Sequence, residues 1–378
     1  MDFKPLERAI SHVLEAGMTP ALQLAIRQHG QLIYSAANGW LDPDTRQRVT
    51  CMTTRFDMAS VTKLFTTTCF LQLVEQGKAG LDQPVCEVLP EFSGLRELHP
   101  YEDPLRDGVW VDVANQKTQK IDASQTTFRQ LLSHNSGLPA WRPFKEQPSA
   151  EAARQMALET FFSYVPGERV VYSDVGLILL GMAVERLTGQ RLDAAIRERV
   201  TAPLGLQRTG YLPIGELPPD VDLLDIAPTE FCRWRNRRVI GEVHDESTSR
   251  LGGIAGHAGI FSTAEEIARF GQLFINHGAP LLSRAMVQEM VKVQAEYNGV
   301  RRGLGFALWS ADPEASSNPF SPATFGHTGF TGTSIWMDPE RELVAALLTN
   351  EVYNGRESRN ILPLRVEIHR AIVVAVDA

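Results

Sequence analysis

Residues 60–76 constrain this chain more than any other segment. Gly77 stops the run as a helix end would, and Leu64, Phe65, Cys69, Phe70, Leu71, Leu73 and Val74 cover most of the circumference of a helix. A helix apolar on nearly every side must be buried on nearly every side. Residues 343–348, Leu-Val-Ala-Ala-Leu-Leu, make the same demand of a sheet. They are apolar on both faces, which predicts a central strand covered above and below. A chain of 378 residues is long enough for two or more packed lobes around such elements.

The remaining pattern predicts an α+β fold. Residues 3–16 read as a helix ending at Gly17, and residues 21–29 and 31–38 read as strands hinged at Gly30, a hairpin signal. Near the other end, 331–337 and 343–349 flank a turn at 338–341, and 360–376 reads as a closing helix. The expected architecture is an antiparallel sheet built from both chain ends with helices on its faces, plus a mostly helical second lobe. The α/β lobe would take in approximately residues 1–60 and 265–378, the helical lobe 61–264, within one unit spanning 1–378. Residues 151–164 and 174–187 read as further helices, the second closed by Gly189. Residues 96–126 are polar and read as an insertion carrying a small hairpin. Residues 225–263 are Gly-rich and irregular, and long ordered loops of that kind frame sites.

Composition removes several function classes. With 37 Lys plus Arg against 45 Asp plus Glu, the formal charge of −8 argues against a nucleic-acid or anionic-membrane surface. The basic run Arg233, Arg235, Arg237 and Arg238 around Trp234 reads as a solvated hairpin or loop face. The longest apolar candidate, 175–184, is far short of the ~20 residues of a membrane-spanning helix. The N-terminus lacks the apolar core of a secretory signal, so a cytoplasmic protein is expected. Cysteines at 51, 69, 86 and 232 show no C-x-x-C spacing, and buried free thiols are expected rather than a disulfide or zinc site.

Three short motifs carry chemistry-bearing residues. Ser60-Val61-Thr62-Lys63 puts a hydroxyl and an amine on one helix face, at a helix N-terminus whose partial positive charge favours an oxyanion. The bland alternative makes Ser60 an N-cap. Tyr172-Ser173-Asp174 follows Pro166-Gly167 and precedes an apolar helix, where Ser173 or Asp174 would equally serve as an N-cap. His327-Thr328-Gly329 enters a C-terminal strand, where a strand edge can offer an N–H and Gly permits close approach. Two other signals point elsewhere. His244-Asp245-Glu246 has metal-ligand residue types at adjacent spacing, which favours a surface or loop role. The Gly-rich run 251–259 lacks the context of a phosphate loop, and His257 within it reads as a loop-bracing residue.

In this order, S-x-x-K, a loop tyrosine and [H/K]-T-G resemble the active-site set of the serine penicillin-recognising enzymes, specifically the class C β-lactamase-like branch with its esterases and D-alanyl-D-alanine peptidases. Also similar are Phe56-Asp57-Met58-Ala59, residues 131–138 (LLSHNSGL), Pro166-Gly167-Glu168, Pro203-Leu204-Gly205-Leu206 and Phe261-Ser262-Thr263-Ala264. Residues 227–230 and 242–246, with 251–259, look like a loop block shared by one subgroup, expected to border the site. The resemblance implies that Ser60 is the acylated nucleophile, Lys63 assists its deprotonation, and Tyr172 is the base or proton shuttle. The N–H groups of Ser60 and Phe330 would form the oxyanion hole, while His327, Thr328 and Gly329 line the substrate. No metal or cofactor is implied.

Two positions depart from the β-lactamase pattern: Asp174 stands where that branch carries Asn, and His327 where it carries Lys. The site thereby gains a negative charge and loses most of a positive one, so a substrate carboxylate should bind less well. Arg250, Arg301 or Arg302 could replace the lost cation. The expectation is a serine hydrolase of esterase or amidase type with weak β-lactamase activity, acting on a small ester, amide or peptidoglycan-derived peptide. The alternatives are a D-alanyl-D-alanine carboxypeptidase and a catalytically silent binding module.

Overall fold

The computed structural model describes residues 1–103, 106, 108–112, 120–219, 221–356 and 360–378. Its centre is an eight-stranded antiparallel sheet in the order Ala295–Tyr297, Val300–Arg302, Ala307–Leu308, Phe325–Thr328, Ser334–Asp338, Leu343–Thr349, Ala21–Gln28, Gln31–Gly39. The two chain ends meet where Leu24 pairs with Leu347. The Gly30 hairpin turns through two left-handed residues, His29 at φ 49° and Gly30 at φ 78°, matching the twist of the strands.

Both faces of the Leu343–Thr349 strand are covered, as its composition requires. Leu343, Ala345 and Leu347 join Leu22, Leu24 and Ile26 beneath the terminal helices Lys4–Glu15 and Ile361–Asp377. Val344, Ala346 and Leu348 face the opposite core, which includes the Ala264–Ile275 helix and the buried helix Thr62–Glu75. That second core continues through Asp174–Thr188 and into the middle of the chain.

Several boundaries differ from expectation. The expected strand 331–337 begins only at Ser334. His327 and Thr328 instead belong to a separate strand, Phe325–Thr328, joined to it by a tight turn whose Gly329 N–H donates to the Thr333 carbonyl. The helix expected over 151–164 spans Ala150–Leu158. Beyond it the chain runs extended, because Phe162 is drawn into a bridge with Leu98 and Ser163 N–H donates to the Gly137 carbonyl. The 96–126 insertion carries two small ribbons, Leu95–Glu97 with Lys120–Asp122 and Tyr101–Glu102 with Trp110–Val111. Part of the segment lies outside the described residues.

The basic run does form a hairpin, Phe231–Cys232 with Arg237–Arg238, but it is only partly solvated. Arg235 is almost buried and Arg238 stacks 3.6 Å from the Tyr353 ring centre. All four cysteines are free, and Cys51 is exposed rather than buried.

Candidate active site

Ser60 does not start the α-helix. It occupies a 3-10 turn, Ala59–Val61, and the α-helix begins at Thr62 with Val61 at its cap and no side-chain capping bond. The N-cap reading of Ser60 therefore fails, which leaves its hydroxyl for other partners. Ala59 sits at φ 44°, a costly conformation for a residue with a Cβ. It is held by the buried Asp57, whose Oδ1 accepts the Ala59 N–H at 2.8 Å. Ser173, by contrast, is a true N-cap, accepting the Gly176 N–H at 3.2 Å. Asp174 is consequently the first helical residue and turns towards Lys63.

Lys63 joins these two helix starts. Its fully buried ammonium donates to Ser60 Oγ at 2.9 Å and to the His257 carbonyl at 3.2 Å, and it pairs with Asp174 Oδ1 at 2.7 Å. The Tyr172 ring centre is 4.7 Å from Nζ. The phenol faces both Lys63 and Ser60 without an aligned hydrogen bond to either. Burial works to neutralise Lys63, but the Asp174 carboxylate and then Tyr172 outweigh it and raise its pKa. The Tyr172 pKa is also raised, first by burial and then by Asp174, although Lys63 opposes this. The resting site thus holds an ammonium and a protonated phenol.

The Gly-rich loop has a packing reason. A Cβ on Gly256 would lie 2.0 Å from the Leu177 carbonyl oxygen, so only glycine lets this loop press against the Asp174–Thr188 helix. That contact delivers the His257 carbonyl to Lys63. His257 Nε2 is braced by Asp245 Oδ1 at 3.0 Å and Thr248 Oγ1 at 3.2 Å, as a loop-bracing role predicts. In His244-Asp245-Glu246 the loop ends at Asp245, which caps the short helix Glu246–Arg250, and His244 is not at the surface, being 5% exposed. Among the described residues no cluster of His, Cys, Asp and Glu could hold a metal.

A cleft of about 460 Å³ opens on Ser60 and Tyr172. Its wall includes His327, Thr328, Gly329 and Phe330, so all eight sequence-derived site residues converge on one place. His327 Nδ1–H donates to the Thr328 carbonyl at 2.8 Å, and burial holds the imidazole neutral, with its pKa well below the usual range. His134, whose ring is tilted by 44° against that of Tyr172 with centroids 4.7 Å apart, is likewise kept neutral by burial and accepts the Ser173 N–H on Nδ1. Gly329 is required by the protein rather than by a ligand. A Cβ there would sit 2.2 Å from Thr333 Oγ1 and 2.5 Å from the Met58 carbonyl.

Of the three candidate arginines only Arg302 lines the cleft. Its guanidinium lies 5.2 Å from the Tyr172 ring centre, its Nε has no hydrogen-bond partner, and no carboxylate pairs with it among the described residues. Arg301 donates to the Trp309 carbonyl, and Arg250 to the Lys145 carbonyl at 3.2 Å. The sequence reading missed Arg365 on the C-terminal helix. It is 4% exposed and donates to the Gly329 and Thr333 carbonyls at 2.7 and 2.6 Å, fixing the turn that carries Phe330. An arginine with a histidine four residues on, set among the apolar positions of this helix, was the available signal.

An antiparallel sheet flanked by helices, with an S-x-x-K turn facing a tyrosine and an H-T-G strand across one cleft, defines the fold and site layout of penicillin-recognising serine hydrolases. The chain belongs to the Beta-lactamase family, whose model matches residues 6–369. It is a hydrolase of the serine type at the level of that family. It is 30% identical over 380 residues to the "Putative D-alanyl-D-alanine carboxypeptidase" of Escherichia coli K12, covering 92% of this chain and 82% of that protein. It is also 30% identical over 395 residues to the "N-acetylmuramyl-L-alanine amidase" of Bacillus subtilis strain 168, covering 95% and 84%. Among solved structures, EstCE1, described as a hydrolase with promiscuous acyltransferase activity, shares the fold with a TM-score of 0.73 at 21% identity, covering 97% of this chain and 98% of its own. No helix among the described residues is long and apolar enough to cross a membrane.

Proposed function

We propose that this protein is an acyl-transferring hydrolase that works through an ester on Ser60 and prefers amide or ester substrates bearing a carboxylate beside the scissile bond. The observation that carries the catalytic half is the 2.9 Å contact between Lys63 Nζ and Ser60 Oγ, with Tyr172 packed against both. Tyr172 must first lose its phenol proton to solvent, which the neighbouring Lys63 ammonium favours. Ser60 Oγ then attacks the substrate carbonyl carbon and its proton passes to the Tyr172 phenolate. The carbonyl oxygen takes the negative charge against the N–H groups of Ser60 and Phe330. Tyr172 returns the proton to the leaving amine or alkoxide as the carbonyl–heteroatom bond breaks. Water then repeats the sequence on the ester and frees Ser60.

Arg302 carries the substrate half. A neutral His327 leaves the strand without the cation of the β-lactamase pattern, and Arg302 supplies one in the same cleft with no carboxylate among the described residues to satisfy it. This moves weight from a plain esterase towards peptidase or amidase action on a peptidoglycan-derived peptide, the chemistry named for two of the relatives. Weak β-lactamase activity remains the expectation, because Asp174 makes the base harder to ionise.

The test compares a short p-nitrophenyl ester, an acyl-D-alanyl-D-alanine peptide, an N-acetylmuramyl-L-alanine amide and a chromogenic cephalosporin. Ser60→Ala should abolish all turnover. Arg302→Ala should lower kcat/KM on the carboxylate-bearing peptide by roughly 10- to 100-fold while sparing the neutral ester. Equal losses on both would refute the carboxylate role, and fast cephalosporin turnover would refute the weak β-lactamase expectation.

A further inference from the structure

Outside the reacting groups, the most complete polar arrangement in the fold lies behind Phe330. The His244 imidazole stacks on the Phe330 ring, with centroids 5.5 Å apart and planes inclined by 19°. The Arg356 guanidinium lies 6.0 Å from the same ring centre. One carboxylate binds both flanking groups: Glu230 Oε1 accepts from His244 Nε2 at 2.8 Å and from Arg356 Nε at 2.9 Å. Glu230 and His244 are each only 5% exposed. Burial opposes the Glu230 charge, but the bonds from His244 and Arg356 outweigh it and hold its pKa at about 2.

The same histidine reaches the nucleophile through its main chain. Asp57 Oδ2 accepts the His244 N–H at 2.6 Å, and Asp57 Oδ1 accepts the N–H of Ala59, the strained residue before Ser60. The Thr331 hydroxyl, next to Phe330, donates to the Asp57 carbonyl at 2.6 Å. Ser60 and Phe330 lie far apart in sequence, yet both are tied to the Asp57–His244 pair. An oxyanion hole works only if its two donors keep a fixed separation as charge develops.

We infer that His244, clamped by Glu230 and Arg356, is a positioning residue that sets the Phe330 N–H against the Ser60 N–H. This rests on the proposal that those two groups form the oxyanion hole. His244 touches no reacting atom, and its effect should appear where the tetrahedral species is bound rather than where the substrate is.

The test uses the full chain with p-nitrophenyl acetate and with phenylboronic acid, whose tetrahedral adduct on a serine places an oxygen in the hole. His244→Ala should lower kcat by about 10- to 100-fold with KM changed by less than about threefold, and weaken the boronic acid by a similar factor. His244→Phe keeps a flat ring on Phe330 but loses the bond to Glu230, so it should recover only part of that loss. Should His244→Ala not fold, Glu230→Gln should give a smaller fall in which kcat and boronic-acid affinity move together. Unchanged kcat, a KM effect alone, or a kcat loss with boronic-acid affinity intact would overturn the inference. Ser60→Ala separates the two levels. If it keeps activity, the nucleophile reading fails; if it is dead while the His244 and Glu230 variants behave as wild type, only the positioning inference fails.

Discussion

Replacing Asp174 with Asn changes one charge and almost no volume, at the position where this chain departs from the β-lactamase pattern. Opposite charges 2.7 Å apart attract by about 6 kcal/mol at an effective dielectric near 20. Asp174 is 30% exposed, so solvent screens part of this, and about 3 kcal/mol is a safer figure. The carboxylate raises the Lys63 pKa against burial, and it also raises that of Tyr172. Both candidate bases are active only when deprotonated, so a raised pKa means that activity climbs as pH rises. Without the carboxylate, burial acts unopposed by that anion on Lys63, and Tyr172 loses a repelling neighbour. Asp174→Asn should therefore shift the rising limb of the pH–rate profile to lower pH. The acylation rate at pH 7 should increase by roughly 10- to 100-fold, since about 1.4 kcal/mol is tenfold. The assay is the burst of p-nitrophenol from p-nitrophenyl acetate between pH 6 and 10, followed by stopped flow. An unmoved limb would refute the charge argument. A large fall in rate at every pH would mean instead that Asp174 itself accepts the serine proton through Lys63.

Three other outcomes are expected. Tyr172→Phe should lose most ester turnover, about 10²-fold or more, and more than Lys63→Ala loses. If Tyr172→Phe keeps near wild-type turnover while Lys63→Ala is dead, Tyr172 is not the principal base. Gly329→Ala should lower kcat and cost about 1–3 kcal/mol in urea unfolding, because its Cβ would collide with Thr333 and the Met58 carbonyl; an unaltered kcat would show that the strand end need not touch the Ser60 turn. His369 is fully buried and donates to the Ser316 carbonyl, and burial lowers its pKa to about 3. The unfolded chain takes up that proton near pH 6.5 and the folded one resists it, so the stabilisation is present above pH 6.5 and fades as pH falls towards 3, by up to roughly 4 kcal/mol. His369→Asn should flatten the fall in urea midpoint between pH 7 and 4, and an unchanged slope would count against this.

How much of this was legible in the sequence follows from the range of each interaction. The central strand and the buried helix were readable because two-sided burial leaves an unbroken apolar run, whatever packs on it. The short strands Ala295–Tyr297, Val300–Arg302 and Ala307–Leu308 were not, because two or three residues carry no period and are fixed by pairing with one another and, through Ala307–Leu308, with Phe325–Thr328. The helix expected to reach Tyr164 stops at Leu158 because a bridge to Leu98, far away in sequence, wins over local propensity. Ser60, Lys63 and Tyr172 could be selected because their motifs are local. Arg365 and Glu230 could not, since Arg365 acts through carbonyls more than thirty residues away, and Glu230 through His244, 14 residues on, and Arg356, 126 residues on.

The charge argument shows the same division. Read along the chain, Asp174 and His327 add a negative charge and remove a positive one, and the expected pocket is poor in cations. In the fold the Asp174 charge is spent on Lys63, and burial leaves His327 neutral. Arg302 enters the cleft from the Val300–Arg302 strand, one of those the sequence did not disclose. Relative to the β-lactamase pattern, the cation is therefore displaced from the strand beside Ser60 to the one two places further out. A substrate carboxylate held by Arg302 must approach the scissile bond from a different direction than one held by a lysine at position 327. Acyl-D-alanyl peptides can rotate about their backbone to meet that displacement, whereas the fused ring of a β-lactam holds its carboxylate rigidly. Restoring the lysine at position 327 should thus improve cephalosporin acylation more than peptide hydrolysis. A His327→Lys variant that improves both equally, or neither, would show that the position of the cation is not what separates the two substrate classes.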